Sequence, residues 1–266
     1  RLDQPIPALF RVHATPKEEK LTDLHAFLGE LGLALSGGAN PEPGDYVRLL
    51  NAIRDRPDAH LIQTVLLRSL KQAMYKPDEE GHFGLALPDY AHFTSPIRRY
   101  PDLIVHRAIK HLAAGGDRRD WPHTEERLKV LGEHCSERER RADKAGWSVI
   151  EALKCDYLAE HVGAEFVGEV TGVTNFGLFV ELEGVRASGL VHISALGRDY
   201  FHFEAPYHRL RGQRSGQVFR LGDQLRVRLA RADAQERKID LEPLAHKPVV
   251  AVGRGGNTQS SQWREL

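Results

Sequence analysis

Two adjacent arginines, Arg98 and Arg99, sit between Ser95-Pro96 and Pro101 in the stretch "YAHFTSPIRRYPDLIVHRAIKHL". A guanidinium is a permanent cation whose planar fork of donors matches phosphate oxygens. Ser95-Pro96 forces extended geometry ahead of Ile97, and Pro101 suits the first turn of a helix. An arginine on a backbone constrained at both ends can grip a phosphate and stabilise charge that develops there during attack. One acidic residue, Asp102, falls inside the stretch. His106 is expected to be a structural histidine, and Arg107 and Lys110 to be solvated helix positions. A second set of residues lies further on. Phe176 and Phe179 stand three apart around Gly177, His192 follows on the next apolar run, and Asp233 and Arg237 bracket a late polar turn. Gly177 is expected to mark a bulge or a close backbone approach that turns both rings to one face. Aromatic rings on such a face stack on unpaired bases, with Arg and His adding phosphate contact. The pattern alone equally allows both rings to be strand core. Between His208 and Arg228 there are six arginines and one acid, Asp223, which suggests an electrostatic track.

The elements that must position these groups change character along the chain. Residues 1–16 are punctuated by proline and read as extended. Leu21, Leu24, Leu28 and Leu31 recur at three- and four-residue intervals and predict a helix over 17–33. Residues 36–45 read as a loop, followed by short helices over 45–53 and from beyond Pro57 to Leu70. "YKPDEEGHFG" breaks the pattern. After the arginine turn, Leu103, Ile104, Ala108, Ile109 and Leu112 give a helix its apolar side, and "AAGGDRRDWPHT" is a loop. From Glu125 to about His161 the pattern is one long charged helix, its polar centre "SERERRAD" a solvated face laced with ion pairs. Beyond Gly163 the period becomes that of strands: five short strands with a small helical insert, which fits an OB-type barrel. Residues 245–266 are rich in Gly, Ser and Gln and read as a flexible tail.

The bulk numbers are those of a globular chain. The 266 residues carry no formal net charge, so any nucleic-acid contact must come from local charge. There is no apolar run of about 18 residues to span a membrane. Cys135 and Cys155 form neither a CxxC pair nor a zinc knuckle, which suits a reducing cytoplasm. The first residue is Arg, and the chain is expected to begin inside a larger fold.

Two resemblances sharpen this reading. "VTNFGLFVEL" and "GLVHISAL" resemble the S1 RNA-binding domain, a version of the OB fold. The family's RNA-binding face then corresponds to Phe176, Phe179, His192, Asp233 and Arg237. "FGLALPDYAHFTSPIRRYPDLIVHRAI", "PALFRVHATP", "LLRSLKQAMY" and "ADKAGWSVIEALKCDYL" resemble the RNB exoribonuclease family, and within it the ribonuclease R branch. The resemblance implies an α+β chain: a mostly helical C-terminal part of the RNB catalytic domain (1–161), an S1 domain (162–244) and the tail. It implies hydrolysis of single-stranded RNA from the 3′ end to nucleoside 5′-monophosphates, with Arg98 required for cleavage. Tyr90, His92, Thr94, Ser95 and Arg99 become RNA or framework contacts. The family holds magnesium in an aspartate cluster. No such cluster occurs in this sequence, so the ligands are expected in an N-terminal half of the same enzyme, a second partner beside RNA. The alternative is an RNA-binding module or an inactive RNB homologue without catalysis of its own.

Overall fold

The computed structural model describes residues 6–244. The expected tail, 245–266, lies outside the described residues. The fold is mixed α and β, with helices leading into a closed five-stranded barrel. No helix among the described residues is long and apolar enough to cross a membrane.

The lead-in is more than extended chain. Its strand β1 (Phe10–Val12) pairs antiparallel with β2 (Met74–Lys76), Arg11 opposite Tyr75. Three helices lie between them: α1 (Glu18–Glu30), α2 (Pro43–Ala52) and α3 (Ala59–Ser69). Leu21, Leu24 and Leu28 are buried, as their spacing predicts. Helix α2 starts inside the segment read as loop. Pro43 takes the first helical turn, and Glu42 and Asp45 cap the helix reciprocally, Glu42 N donating to Asp45 Oδ2 at 2.7 Å.

Helix α4 (Tyr100–Ala113) carries Pro101 and Asp102 in its first turn. Helix α5 (Glu125–Ala159) runs 35 residues, about 52 Å at the usual rise. The Thr124 side chain caps it by accepting from Arg127 N at 3.3 Å. Its N-terminal half packs through Leu128 into a small core with Leu9, Ile104, Ala108 and Trp121. Gly132 lets β2 approach, because a Cβ there would meet the Tyr75 carbonyl oxygen at 2.4 Å. One turn on, Ser136 is buried and accepts from Tyr75 N at 2.9 Å. The polar centre is therefore only partly a solvated face: Ser136 faces inward, and Glu139 pairs with Arg11 of β1 at 2.7 Å. The far end of α5 buries Cys155 and Leu158 in the core that α1–α3 share with the barrel.

The barrel strands are β3 (Glu165–Thr174), β4 (Gly177–Leu182), β5 (Ser188–His192), and, after an insert, β9 (Gln224–Asp233) and β10 (Lys238–Pro243). They close in the order β10-β5-β4-β3-β9. The insert is not helical. Apart from two 3-10 turns, it is an antiparallel sheet of β6 (Phe201–Glu204), β7 (Arg209–Gly212) and β8 (Val218–Arg220). Phe201, Leu210 and Phe219, one from each strand, supply its buried side. Asp199 staples its open end. The carboxylate accepts from the backbone N–H groups of Tyr200, Arg214 and Ser215 and from the Ser215 hydroxyl, which holds its pKa down to about 2.

The barrel is fastened to the helices. Arg68 of α3 donates to the Thr171 carbonyl at 2.6 Å, Arg209 of β7 pairs with Glu30 of α1 at 3.0 Å, and Lys154 of α5 donates to the Arg186 carbonyl. Phe27 and His208 meet edge to face, with ring centroids 6.0 Å apart.

Candidate nucleic-acid interface

The arginine turn is locked from below by α4. Arg98 N and Arg99 N both donate to the Ser95 carbonyl, at 3.2 and 3.0 Å. Asp102 is fully buried, and its Oδ2 accepts from Ser95 N at 2.8 Å and from Arg99 Nη2 and Nε at 2.8 and 3.2 Å. Arg99 also reaches Thr94 Oγ1 at 3.4 Å. One turn further along α4, His106 Nε2 donates to the Phe93 carbonyl at 2.9 Å, and its ring stacks on Phe93 with centroids 4.1 Å apart. His106 is thus a bonded framework histidine.

This network separates the two arginines. Arg99 is committed to Asp102. Arg98 is exposed and, among the described residues, its guanidinium has no partner. Beside it Ile97 is 97% exposed, so the tip of the turn projects outward.

A chain of rings flanks the turn. His13, His82, Tyr90, His92 and Tyr75 follow one another edge to face at centroid distances of 5.0, 5.1, 5.7 and 5.5 Å. Arg11 lies over the Tyr75 ring at 4.7 Å, and its N–H donates to the Tyr90 carbonyl at 2.7 Å. Burial pushes the Tyr75 phenol up and the His92 imidazole down, the latter helped by the charges of Arg99 and Arg11. The Tyr75 hydroxyl and His92 Nδ1 share a 2.8 Å hydrogen bond. Burial, followed by the neighbouring His13, likewise lowers the pKa of His82. Thr94 and Ser95 thus bond within the turn that carries Arg98 and Arg99, while Tyr90 and His92 belong to the flanking ring chain. Sequence reasoning gave Tyr75, Arg11 and His82 no role. Asp102 did leave a signal, as the lone acid in a basic stretch three residues after Arg99.

The barrel presents a second surface. Leu178, Val180 and Leu182 of β4 point inward and are fully buried, so Phe179 points out. Phe176 is 45% exposed, and the two rings meet edge to face at 6.0 Å. His192 is exposed and pairs across the sheet with Gly177. Gly177 is the close approach that the sequence suggested, since a Cβ there would meet the Val191 carbonyl oxygen at 2.3 Å. The bulge itself lies on the facing strand, between Val170 and Gly172, and Phe179 rests against Gly172. Asp233 and Arg237 lie on the β9–β10 hairpin. Asp233 accepts from Glu236 N at 2.8 Å and from Arg231 at 2.6 Å, while Arg237 donates to Ser148 of α5. The suggested arginine track is half neutralised. Arg209 pairs with Glu30 and Glu204, and Arg226 and Arg228 with Glu165. Arg211, Arg214 and Arg220 remain exposed.

Among the described residues no group of three or more His, Cys, Asp or Glu side chains could hold a metal ion. Asp102 is enclosed by its own donors. Among the described residues the side chains present do not fit a magnesium site.

The RNB domain family matches residues 2–115, and the S1 RNA binding domain family matches residues 160–242. Ribonuclease R of Escherichia coli (strain K12) is 51% identical over 242 residues, and that of Vibrio cholerae serotype O1 is 51% identical over 244. Each alignment covers 88% of this chain, which spans about 30% of the length of those curated relatives. Solved structures of Mycoplasma genitalium RNase R, in the apo form and in complex with ribose methylated single-stranded RNA, superpose with a TM-score of 0.82. They are 26% identical, over 90% of this chain and 38% of theirs. The chain thus carries an RNB domain match followed by an S1 RNA binding domain match, and over most of its length it is similar to ribonuclease R proteins.

Proposed function

We propose that this chain is the phosphate-gripping and strand-holding part of a 3′→5′ exoribonuclease that hydrolyses single-stranded RNA to nucleoside 5′-monophosphates. Residues 1–161 contribute to the RNB catalytic domain and residues 162–244 form the S1 domain. The observation that carries this reading is the division of labour at the turn: Asp102 holds Arg99, and the exposed Arg98 is left to meet a phosphate. A guanidinium fixed there binds the oxygens of the scissile phosphate and offsets the charge that builds on them as water attacks. Tyr90 and His92 line the approach to the turn. Phe176, Phe179 and His192 hold single-stranded RNA on the barrel by stacking and hydrogen bonding. The magnesium that the family resemblance implies would be held by aspartates in an N-terminal half of the enzyme and would supply an activated water. The chain alone therefore binds RNA without cleaving it.

The test is Arg98→Ala in the full-length protein, assayed with magnesium on single-stranded RNA labelled at its 5′ end. Loss of one such charge stabiliser lowers kcat by roughly 100- to 1,000-fold, while RNA affinity stays close to that of the unaltered protein. Unchanged turnover would remove Arg98 from the chemistry. The same assay on this chain alone should release no mononucleotide. Cleavage by the isolated chain would mean that it carries metal ligands of its own.

A further inference from the structure

We propose that Asp102 is a positioning residue for the phosphate grip, acting through Arg99 and the Ser95 backbone to fix where Arg98 points. The proposal deepens the reading above and rests on it. Asp102 never meets the substrate in this account. It is fully buried at the start of α4, with Arg98 and Arg99 on the turn just above it.

The geometry fits a positioning role. A carboxylate in the first turn of a helix is favoured there by the exposed N–H groups of that turn. Asp102 uses the place differently: Oδ2 gathers Ser95 N–H and two Arg99 donors, all of them outside the helix body. Ser95 in turn accepts from the N–H groups of both arginines through its carbonyl. The backbone at Arg98 is thus enclosed in a ring of bonds that closes on Asp102. Four residues along the same helix face, His106 holds Phe93, so α4 grips the loop before the turn at a second point. The other oxygen, Oδ1, is buried with no hydrogen-bond partner. An acceptor left without a donor in a buried place carries a desolvation penalty. The bonds to the side chain that oppose this penalty all come from Ser95 and Arg99 of the arginine turn.

The charge pattern agrees. Without Asp102, Arg98 and Arg99 would repel each other on adjacent positions, and Arg99 could swing toward the same phosphate. With Asp102, the side chain of Arg99 is 21% exposed and neutralised, and the turn presents a single free guanidinium.

The test is a double-mutant cycle in the full-length protein, reading kcat and KM on 5′-labelled single-stranded RNA with magnesium. Asp102→Asn keeps the shape, and its amide oxygen still accepts from Ser95, but it loses the charge that holds Arg99. A displacement of about 1 Å in a positioned group can cost on the order of 100-fold in rate, so kcat should fall by about that factor with KM little changed. The diagnostic readout is the pair. Arg98→Ala with Asp102→Asn should be no slower than Arg98→Ala alone, because the aim of an absent side chain cannot matter. Effects that multiply in the double variant would overturn the proposal, as would a wild-type kcat in Asp102→Asn or an effect confined to KM. Should Asp102→Asn fail to fold by circular dichroism, Arg99→Lys decides. It keeps the charge, loses the two-point grip, and should show the same non-additivity with Arg98→Ala. If Arg98→Ala itself runs at the normal rate, the reading of Arg98 fails first, and this one falls with it by a separate and visible route.

Discussion

Replacing Phe176 and Phe179 with alanine in this chain tests the barrel surface in magnitude as well as sign. The two rings stand at 87° to each other with centroids 6.0 Å apart. Rings so nearly perpendicular cannot both lie flat on one base. On the proposed reading, the more exposed Phe176 is the stacking platform and Phe179, resting on Gly172, braces it. A stacked base is worth about 1–3 kcal/mol by alanine substitution. At about 1.4 kcal/mol per tenfold in affinity, Phe176→Ala should raise Kd by about 5- to 140-fold. An edge-to-face contact between rings is worth about 0.5–1.5 kcal/mol, so Phe179→Ala should raise Kd by about 2- to 12-fold. The double variant should fall short of the product, since removing the platform makes its brace redundant. Fluorescence anisotropy of a labelled oligoadenylate against the chain, at several salt concentrations, measures all three. The salt slope should not move, because neither ring neutralises a phosphate. Thermal melts supply the control, since the inward-facing side chains of β4 are untouched. An unchanged Kd in Phe176→Ala with an intact melt would refute the stacking role, and a flattened salt slope would point to lost phosphate contacts instead.

Two further outcomes concern stability. The carboxyl of Asp199 is held down to about 2 by donors that the unfolded chain lacks. Its contribution is therefore complete above the ordinary carboxylate range and lost as pH falls toward 2. Asp199→Ala should lower Tm at pH 7, with the gap to the unaltered chain closing between about pH 4 and pH 2. A gap of the same size at both ends would contradict the bond set described for the β6–β8 sheet. At Gly132, alanine would gain about 1 kcal/mol of helix propensity. It would also place a Cβ 2.4 Å from the Tyr75 carbonyl oxygen, and overpacking of that kind costs about 1–3 kcal/mol. Urea melts of Gly132→Ala should show a net loss of up to about 2 kcal/mol, and a more stable variant would mean that β2 can step away from α5 freely.

What the sequence made legible was local. Apolar residues at helical spacing placed α1, α3, α4 and the full length of α5, and the change to alternation after Gly163 placed the barrel. What it hid was pairing across distance. Residues around Phe10 and around Tyr75 are only three-residue strands, too short to show a period, and they become strands by meeting each other against α5. The insert read as helical because its strands run three or four residues between turns, and only their mutual pairing and the Asp199 staple make them a sheet. Charge misled for the same reason. Six arginines in a row of sequence look like a track, yet Glu30, Glu204 and Glu165 come from elsewhere to meet three of them. At the arginine turn the prolines were readable as constraints. Which arginine stays free was not, because it depends on the rotamer of one buried aspartate.

The two surfaces are joined through one helix and its packing at both ends, and this bears on how a single strand would be held. Helix α5 is packed at one end beneath the Arg98 turn, through Leu128 against Ile104 and Ala108 of α4. At its other end it is packed into the barrel through Cys155 and Leu158. The shared core, the Arg68–Thr171 bond and the Arg209–Glu30 pair tie the barrel to the helices. A strand that reaches both surfaces would meet contacts already fixed in separation. Its second contact forms as an intramolecular event, without the cost of ordering two mobile domains. Weak stacking at the barrel could then raise the residence of a 3′ end at the turn without any of the barrel's residues touching the scissile bond.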